Sequence, residues 1–456
     1  MSPAPVRFHS ILLRAGAEAF AENHRAYCAR WGYTHRLHAI GTPHNSARTL
    51  LVYKYSVVSA ALADAPDGTL LVFADDDAAF LAPLPAPAVI GDAPYWIAEN
   101  EHHHRPEGSC FMLRAGPEAT DLVAQVLERL RTAPDAGTDR WAHRELEGLA
   151  AHPHHQLIDG RHYPNLLFAR FGHYLPEVSA FVLSFNPAVH IDVQDMRVRG
   201  LFVAHLNTVL ARDGQLYDDL PPAPTGQPDY EVRNPGRPVA LLTSYTPNIA
   251  GYATLSERNI AAYADHHGHT HHVYRDLPAD LRGRVAGNWV KPRLLLKHLA
   301  EHEQVAWVDA DILIHDRARP LASLLRGRPV ALARDVSGYE FNSGFMVFSN
   351  TPACIAYLER VQALIDAVQD KRGVYASGGD QAFFVAAWAE AGGDAAMPRS
   401  DGVSFNSHPA LYDGDSFMLH YMGYPDRLRT LVMQHDAQQI AHRHAGTPDA
   451  ATPPNG

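Results

Sequence analysis

The stretch WVDADILI, Trp307 to Ile314, decides the reading of this chain. An apolar run leads into two aspartates, Asp309 and Asp311, and apolar residues resume behind them. In open α/β sheets ligands sit at the carboxyl ends of the strands, so a strand that runs into carboxylates puts chemistry where such folds keep it. Extended backbone turns residues i and i+2 to the same side. Two carboxylates held together need a compensating cation, and hard oxygen ligands favour Mg2+ or Mn2+.

The surroundings alternate between strand and helix patterns. VALLTSYT from Val239 is a buried-type strand, and LSERNIAAYADHHG is a helix that stops at Gly268. HTHHVYRD is a second strand and KPRLLLKHLAEH an amphipathic helix. QVAWVDADILI, PVALARD and GFMVFSN are further strands, followed by the helix CIAYLERVQALIDAVQ. This alternation predicts an α/β domain with a mostly parallel sheet covered by helices on both faces. The first half runs in the same order, with ENHRAYCARWG as its first helix.

The landmarks also repeat. LLVFADDDAAF echoes the acidic strand, so that Asp75 and Asp77 match Asp309 and Asp311 at an offset of 234 residues. Lys54 matches Lys291 at 237, GSCFML matches NSGFMV at 234, and Asp139 matches Asp380 at 241. LSFNP matches VSFNS at 220, and His205 matches His420 at 215. Stepwise offsets of this kind imply tandem duplication with loop insertions. The expected organisation is a first domain over residues 1–220, a proline-rich linker over 221–238, a second domain over 239–440 and a disordered tail over 441–456.

Composition narrows the class. The chain has 456 residues, 46% of them hydrophobic and 20% charged, with a formal net charge of -11. That balance suits a globular protein and disfavours a nucleic-acid partner. The three cysteines match no zinc spacing, and no stretch approaches the ~18 apolar residues of a membrane span. The expectation is a cytoplasmic protein without a transmembrane segment, with room for peripheral membrane contact through a partner. His102 to His104, His266-His267 and His271-His272 look like metal ligands. Consecutive histidines on a loop do not converge without further ligands, so they read as solvated or substrate-facing surface.

WVDADILI, FNSGFMVFSN, GGDQAFF and LHYMGY, in that order, resemble glycosyltransferases of the GT-A fold. They are similar above all to the retaining galactosyl- and xylosyltransferases of galactomannan and xyloglucan synthesis. The resemblance covers residues 238–435 well and 6–212 more weakly. It implies two tandem Rossmann-like domains and transfer of a sugar from a nucleotide-diphosphate donor, a UDP-sugar foremost. The acceptor would be a glycan, a lipid-linked species or a protein. It implies Mn2+ or Mg2+ on Asp309, Asp311 and His420, with Asp309 also on the ribose. It puts Asn342, Ser343 and Gly344 along the sugar and acceptor pocket, Asp380 on the donor hydroxyls and Gln381 near the anomeric carbon. Lys291 would reach the nucleotide or its phosphates, and Ser244, Tyr245, Thr246 and Gly423 would line the donor pocket.

A second site would comprise Lys54, Asp75, Asp77, Asp139 and His205. There Gly108 stands for Asn342, Cys110 for Gly344 and Arg140 for Gln381. Asp76 points away from its neighbours and reads as structural. Competing readings are a sugar-nucleotide nucleotidyltransferase, whose glycine-rich basic loop LLTSYTPNIAGYATLSER lacks, and a non-catalytic sugar-binding scaffold.

Overall fold

A computed structural model describes residues 6–41, 46–84, 95–100, 105–132, 155–158, 182–184, 196–213, 220–336, 338–371, 373, 379–412, 414–424 and 426–445. The chain divides into two compact units, Met1–Asp218 and Asp219–Gly456.

The first unit carries strands β1 Val6–Leu12, β2 Thr34–Ala39, β3 Leu70–Asp75, β4 Ala78–Phe80, β5 Tyr95–Asn100, β6 Arg105–Arg114, β7 His155–Ile158 and β8 Val182–Ser184. Its helices are α1 Glu18–Trp31, α2 Ala47–Asp64, α3 Pro117–Thr132 and α4 Met196–Ala211. The second unit carries β9 Tyr230–Arg233, β10 Val239–Ser244, β11 Thr270–Tyr274, β12 Gln304–Val308, β13 Ile312–Ile314, β14 Val330–Ala333, β15 Asn342–Ser349, β16 Arg399–Gly402 and β17 Met418–His420. Its longer helices are α5 Ala250–His267, α6 Lys291–Leu299, α7 Pro352–Asp366, α8 Gly379–Glu390 and α9 Asp426–Ala445.

The main sheets share one plan. The first has the order β2-β1-β3-β6-β5-β7, and the second repeats it as β11-β10-β12-β15-β14-β16 with β9 added beside β11. The directions repeat pair by pair: β6 and β15 run antiparallel to both neighbours, and the remaining shared pairs are parallel. The sheets are therefore mixed, with parallel strands flanking one reversed strand. A register break after Ile97 in β5 recurs after Leu332 in β14. Each unit also has a two-strand ribbon, β4 with β8 and β13 with β17.

Each main sheet is covered on both faces. In the second unit Trp307, Met346 and Phe348 pack under α6 and α7, while Val308, Phe345 and Val347 face α5. The first helix of each unit stops on a glycine in the left-handed region, Gly32 at φ +70° and Gly268 at φ +65°. One asparagine on each of these helices grips the ribbon. Asn23 accepts from the Phe80 N–H and donates to its carbonyl, and Asn259 does the same for Ile314. Each amide replaces a missing strand neighbour, and unmade bonds there would cost about 1–3 kcal/mol.

Three expectations need correction. WVDADILI is not one strand. β12 stops at Val308, a turn holds Asp309 to Asp311, and β13 joins the ribbon. The segment 221–238 contains β9, an edge strand whose exposed Tyr230 and Val232 hide any apolar alternation. It is fixed by backbone pairing to β11 and by the ion pair of Glu231 with Arg275. Residues 441–445 complete α9, and 446–456 lie outside the described residues. Among the described residues no helix is long and apolar enough to cross a membrane.

Candidate active site

In the second unit the turn after β12 and the end of β17 bring one ligand atom each from Asp309, Asp311 and His420 within 4.8 Å of one another. The ribbon register sets this geometry, because Ile312 pairs with His420 and the Tyr421 N–H donates to the Asp311 carbonyl at 2.9 Å. Asp309 accepts from the Trp307 indole at 2.7 Å and pairs with the Lys291 ammonium at 2.9 Å. Asp311 pairs with His420 Nε2 at 3.2 Å and with Arg429, from α9, at 3.2 Å.

The charges are unequal. Burial raises Asp309, and Lys291 only partly offsets it. Burial also opposes the charge of Asp311, but His420 and Arg429 outweigh it and hold that carboxyl well below the ordinary range.

His420 is held from behind. Asn342 Oδ1 accepts from the Gly344 N–H at 2.8 Å and from Asn406 Nδ2 at 3.0 Å. Asn406 Nδ2 also lies 3.0 Å from His420 Nδ1. With the Asn342 oxygen fixed by Gly344, the Asn406 amide donates, and His420 turns Nε2 toward Asp311. The imidazole packs directly against Gly344. A Cβ there would stand 3.0 Å from His420 Nδ1 and closer still to Cε1, so only glycine fits beneath the ring.

Beside the acidic turn lies a second polar group. Asp380, at the start of α8, pairs with Lys291 at 2.9 Å and accepts from Ser343 Oγ at 3.0 Å and Asn288 Nδ2 at 3.1 Å. Gln381 Oε1 accepts from the Ser343 N–H at 3.0 Å. Lys291 is buried and also donates to the Ser343 carbonyl at 3.2 Å. Its three N–H groups are thus engaged inside the protein, and reaching a phosphate would break one of these bonds.

Tyr245 spends its hydroxyl on Glu257 at 2.7 Å, and Thr246 Oγ1 donates to Asn248 at 2.6 Å. Ser244 ends β10, and Gly423 adopts φ +83°, which favours glycine. A cleft of about 1220 Å3 is lined by residues including Trp289, Lys297 and Gln362, and by neither Asp309 nor Asp311 nor Asp380.

The first unit places the same acidic turn differently. Asp75 pairs with buried Lys54 at 3.2 Å, and Lys54 donates to the Gly108 carbonyl at 2.7 Å. Asp75, Asp76 and Asp77 lie within 4.8 Å of one another and could hold a metal ion. However, both oxygens of Asp77 are taken by Arg14, with Nη2 at 2.7 Å, and Arg199 from α4 closes on the same carboxylate. Burial opposes the charge of Asp77, yet the two guanidiniums hold it at about 2. Burial pushes Asp75 up to about 7 against the pull of Lys54, with Asp77 and Asp76 adding to the rise. Asp76 accepts from the N–H groups of Leu13 and Arg14 at 2.9 and 2.7 Å, the structural role expected of it.

Strand registers correct the matching of the halves. Ala78 pairs with Ser184 as Ile312 pairs with His420, so Ser184 holds the histidine's place in the ribbon. LSFNP therefore does not match VSFNS. His205 lies in helix α4 and is not among the residues whose ligand atoms gather at the acidic turn; its counterpart in sequence is His435, because MRVRGLFVAH and DRLRTLVMQH align at a constant offset of 230. The same alignment pairs Arg199 with Arg429, each reaching the last aspartate of its turn. Phe73 pairs with Phe111 where Trp307 pairs with Met346, so β6 matches β15 at 235 rather than 234. Ser109, not Cys110, stands at the level of Gly344, and Gly108 at that of Ser343.

Asp139, Arg140 and His102 to His104 lie outside the described residues. His271 and His272 are buried in β11, not solvated. Sequence reasoning missed Arg429, Asn288 and Asn259, and used Asn406 only as a landmark. The recurring R-x-R at an offset of 230 was the available signal for Arg429.

No protein-family model and no curated protein matches the chain. Among solved structures it is similar to a glycosyltransferase involved in glycosylation of the major capsid of PBCV-1, with TM-score 0.36 and 14% identity over 43% of this chain and 98% of that one. It is also similar to the apo form of the glycosyltransferase GlyE of Streptococcus pneumoniae TIGR4, with TM-score 0.30 and 11% identity over 47% and 65%. A third likeness is to the galactosyltransferase LgtC in complex with donor and acceptor sugar analogues, with TM-score 0.30 and 9% identity over 46% and 95%.

Proposed function

We propose that the second unit is a metal-dependent glycosyltransferase domain and that the first is its duplicated copy, retired from catalysis. The observation that carries this reading is the convergence of Asp309, Asp311 and His420 at the carboxyl end of β12. Two carboxylates and one imidazole suit Mn2+ or Mg2+, with nitrogen favouring Mn2+. When bound, the ion would neutralise the diphosphate of a nucleotide-sugar leaving group.

The chain's own residues divide the remaining work. Asn342 and Asn406 orient His420, and Gly344 leaves room for its ring. Lys291 ion-pairs with both Asp309 and Asp380 and so ties the acidic turn to the start of α8. Asp380 has two oxygens to share between these partners and the donor sugar hydroxyls. Gln381 stands on Ser343 as the polar group nearest the anomeric carbon, and transfer proceeds with retention. The donor is a UDP-sugar, bound beside Ser244 to Thr246 and Gly423, and the acceptor is a glycan, a lipid-linked species or a protein. The enzyme works in the cytoplasm.

A thermal-shift screen of nucleotide sugars with and without Mn2+ tests the reading. A Mn2+-dependent rise in Tm with one donor is expected. The absence of metal-dependent stabilisation by any donor would overturn it.

A further inference from the structure

Far from the acidic turn, at the other end of α6, three histidines and a glutamate meet. His272 lies on β11, His298 in the last turn of α6, and Glu301 and His302 just beyond it. The three histidines are buried and Glu301 is exposed. One ligand atom from each of the four lies within 4.8 Å of the others.

Each ring has one nitrogen held by an oxygen outside the group and the other turned inward. His302 Nδ1 is 2.7 Å from the Arg237 carbonyl, which can only accept, so this nitrogen carries the proton and neutral His302 presents a bare Nε2. That Nε2 faces His272 Nε2 at 2.9 Å. His272 Nδ1 meets the Tyr230 hydroxyl at 2.8 Å. His298 Nε2 meets the Tyr274 hydroxyl at 2.8 Å, and its Nδ1 lies 3.0 Å from the Glu301 carboxylate. A tyrosine hydroxyl donates or accepts, so Tyr230 and Tyr274 serve either tautomer. Inward nitrogens backed by outer oxygens are the arrangement that orients imidazoles on a metal. The nearby cation, Lys297, is turned aside: it bonds the Tyr274 hydroxyl and lies over the Tyr230 and Tyr274 rings.

We propose that His272, His298, His302 and Glu301 form a second metal site, selective for a borderline divalent ion such as Zn2+. Three nitrogens and one oxygen fill a closed tetrahedral shell, and a shell with no open position suits a structural rather than a catalytic zinc ion. Burial, with the neighbouring imidazoles and Lys297, holds His272 at about 3, so the ring is neutral and ready to bind at pH 7. The ion would tie the end of α6 to β11, and through Tyr230 to the edge strand β9. Lys291 begins the same helix about 10 Å away along its axis. The site depends on no part of the glycosyltransferase reading.

Titration of the whole chain with Co2+ tests the proposal. One equivalent should develop the intense visible bands of four-coordinate cobalt, bleached by Zn2+. Asp311→Asn should leave the bands intact and His302→Gln should abolish them. Glu301→Gln, at an exposed position that leaves the fold unchanged, should weaken cobalt binding at least tenfold. Wild-type protein without such bands, or bands of unchanged affinity in both Glu301→Gln and His302→Gln, would overturn the site.

Discussion

The two acidic turns stand on equivalent strands and solve one electrostatic problem in two ways. In the first unit Arg14 and Arg199 close on Asp77, and the carboxylates are compensated by the protein itself. In the second Arg429 keeps the place of Arg199, but counting on from the strand register puts Pro247 level with Arg14. The changes are coupled. Pro247 lacks the N–H that Arg14 gives to Asp76, and Ala310 lacks the carboxylate that would receive it. His420 rests on Gly344, whereas the first unit has Ser184 at the ribbon position of His420 and Ser109 at the strand level of Gly344. The difference teaches how, on the proposed reading, a cation site would be opened: one internal cation is removed and one imidazole is added, together with the glycine that the imidazole requires.

The widest separation should appear in turnover. Asp311→Ala should lower donor hydrolysis on the order of 10³-fold or more, while Asp77→Ala leaves it within about twofold. Equal losses in the two variants would break the asymmetry.

Stability should come next. Lys291→Met strands Asp309 and Asp380 and should cost about 3–5 kcal/mol in chemical denaturation. Lys54→Met should cost less near neutral pH, because Asp75, already raised to about 7, can take a proton instead. A carboxyl raised in the folded state binds its proton more tightly there than in the unfolded chain. Its contribution to stability therefore falls as pH rises from about 4 to about 7. Asp75→Asn should flatten that slope in the first unit, and an unchanged slope would place the titration elsewhere.

The smallest effect should sharpen the comparison. Gly344→Ala should displace His420, reduce Mn2+ affinity about 10–100-fold and cost about 1–3 kcal/mol of stability. Ser109→Ala should leave Mn2+ affinity unchanged.

The legible parts of the sequence were those whose chemistry is local. The acidic turns, the two lysines and the glycine-stopped first helices announce themselves by residue type and spacing. The misreadings came from letters that repeat without sharing a place. Ser-x-Phe-Met recurs in β6 and β15, and matching it by identity slips the strand by one residue. In a sheet with a two-residue period that slip exchanges its faces, and the Phe111 and Met346 positions under α2 and α6 show the true register. His205 and His420 share a letter, but one sits in a helix and the other in a ribbon. Arg429 reads as an ordinary helix charge until its carboxylate partner is known, and the polar α9 has too weak an apolar stripe to declare itself.

The ribbon of β13 and β17 has a consequence in time. His420 follows Asp311 by 109 residues. At synthesis rates of about 5–20 residues per second, a growing chain carries the aspartate for about 5–20 s before its histidine exists. Throughout that interval β13 has no β17 to pair with, and α5 braces it through Ser256 on the Ile312 carbonyl and Asn259 on Ile314. The side chains that are minor braces in the finished protein are then the guardians of an unfinished one.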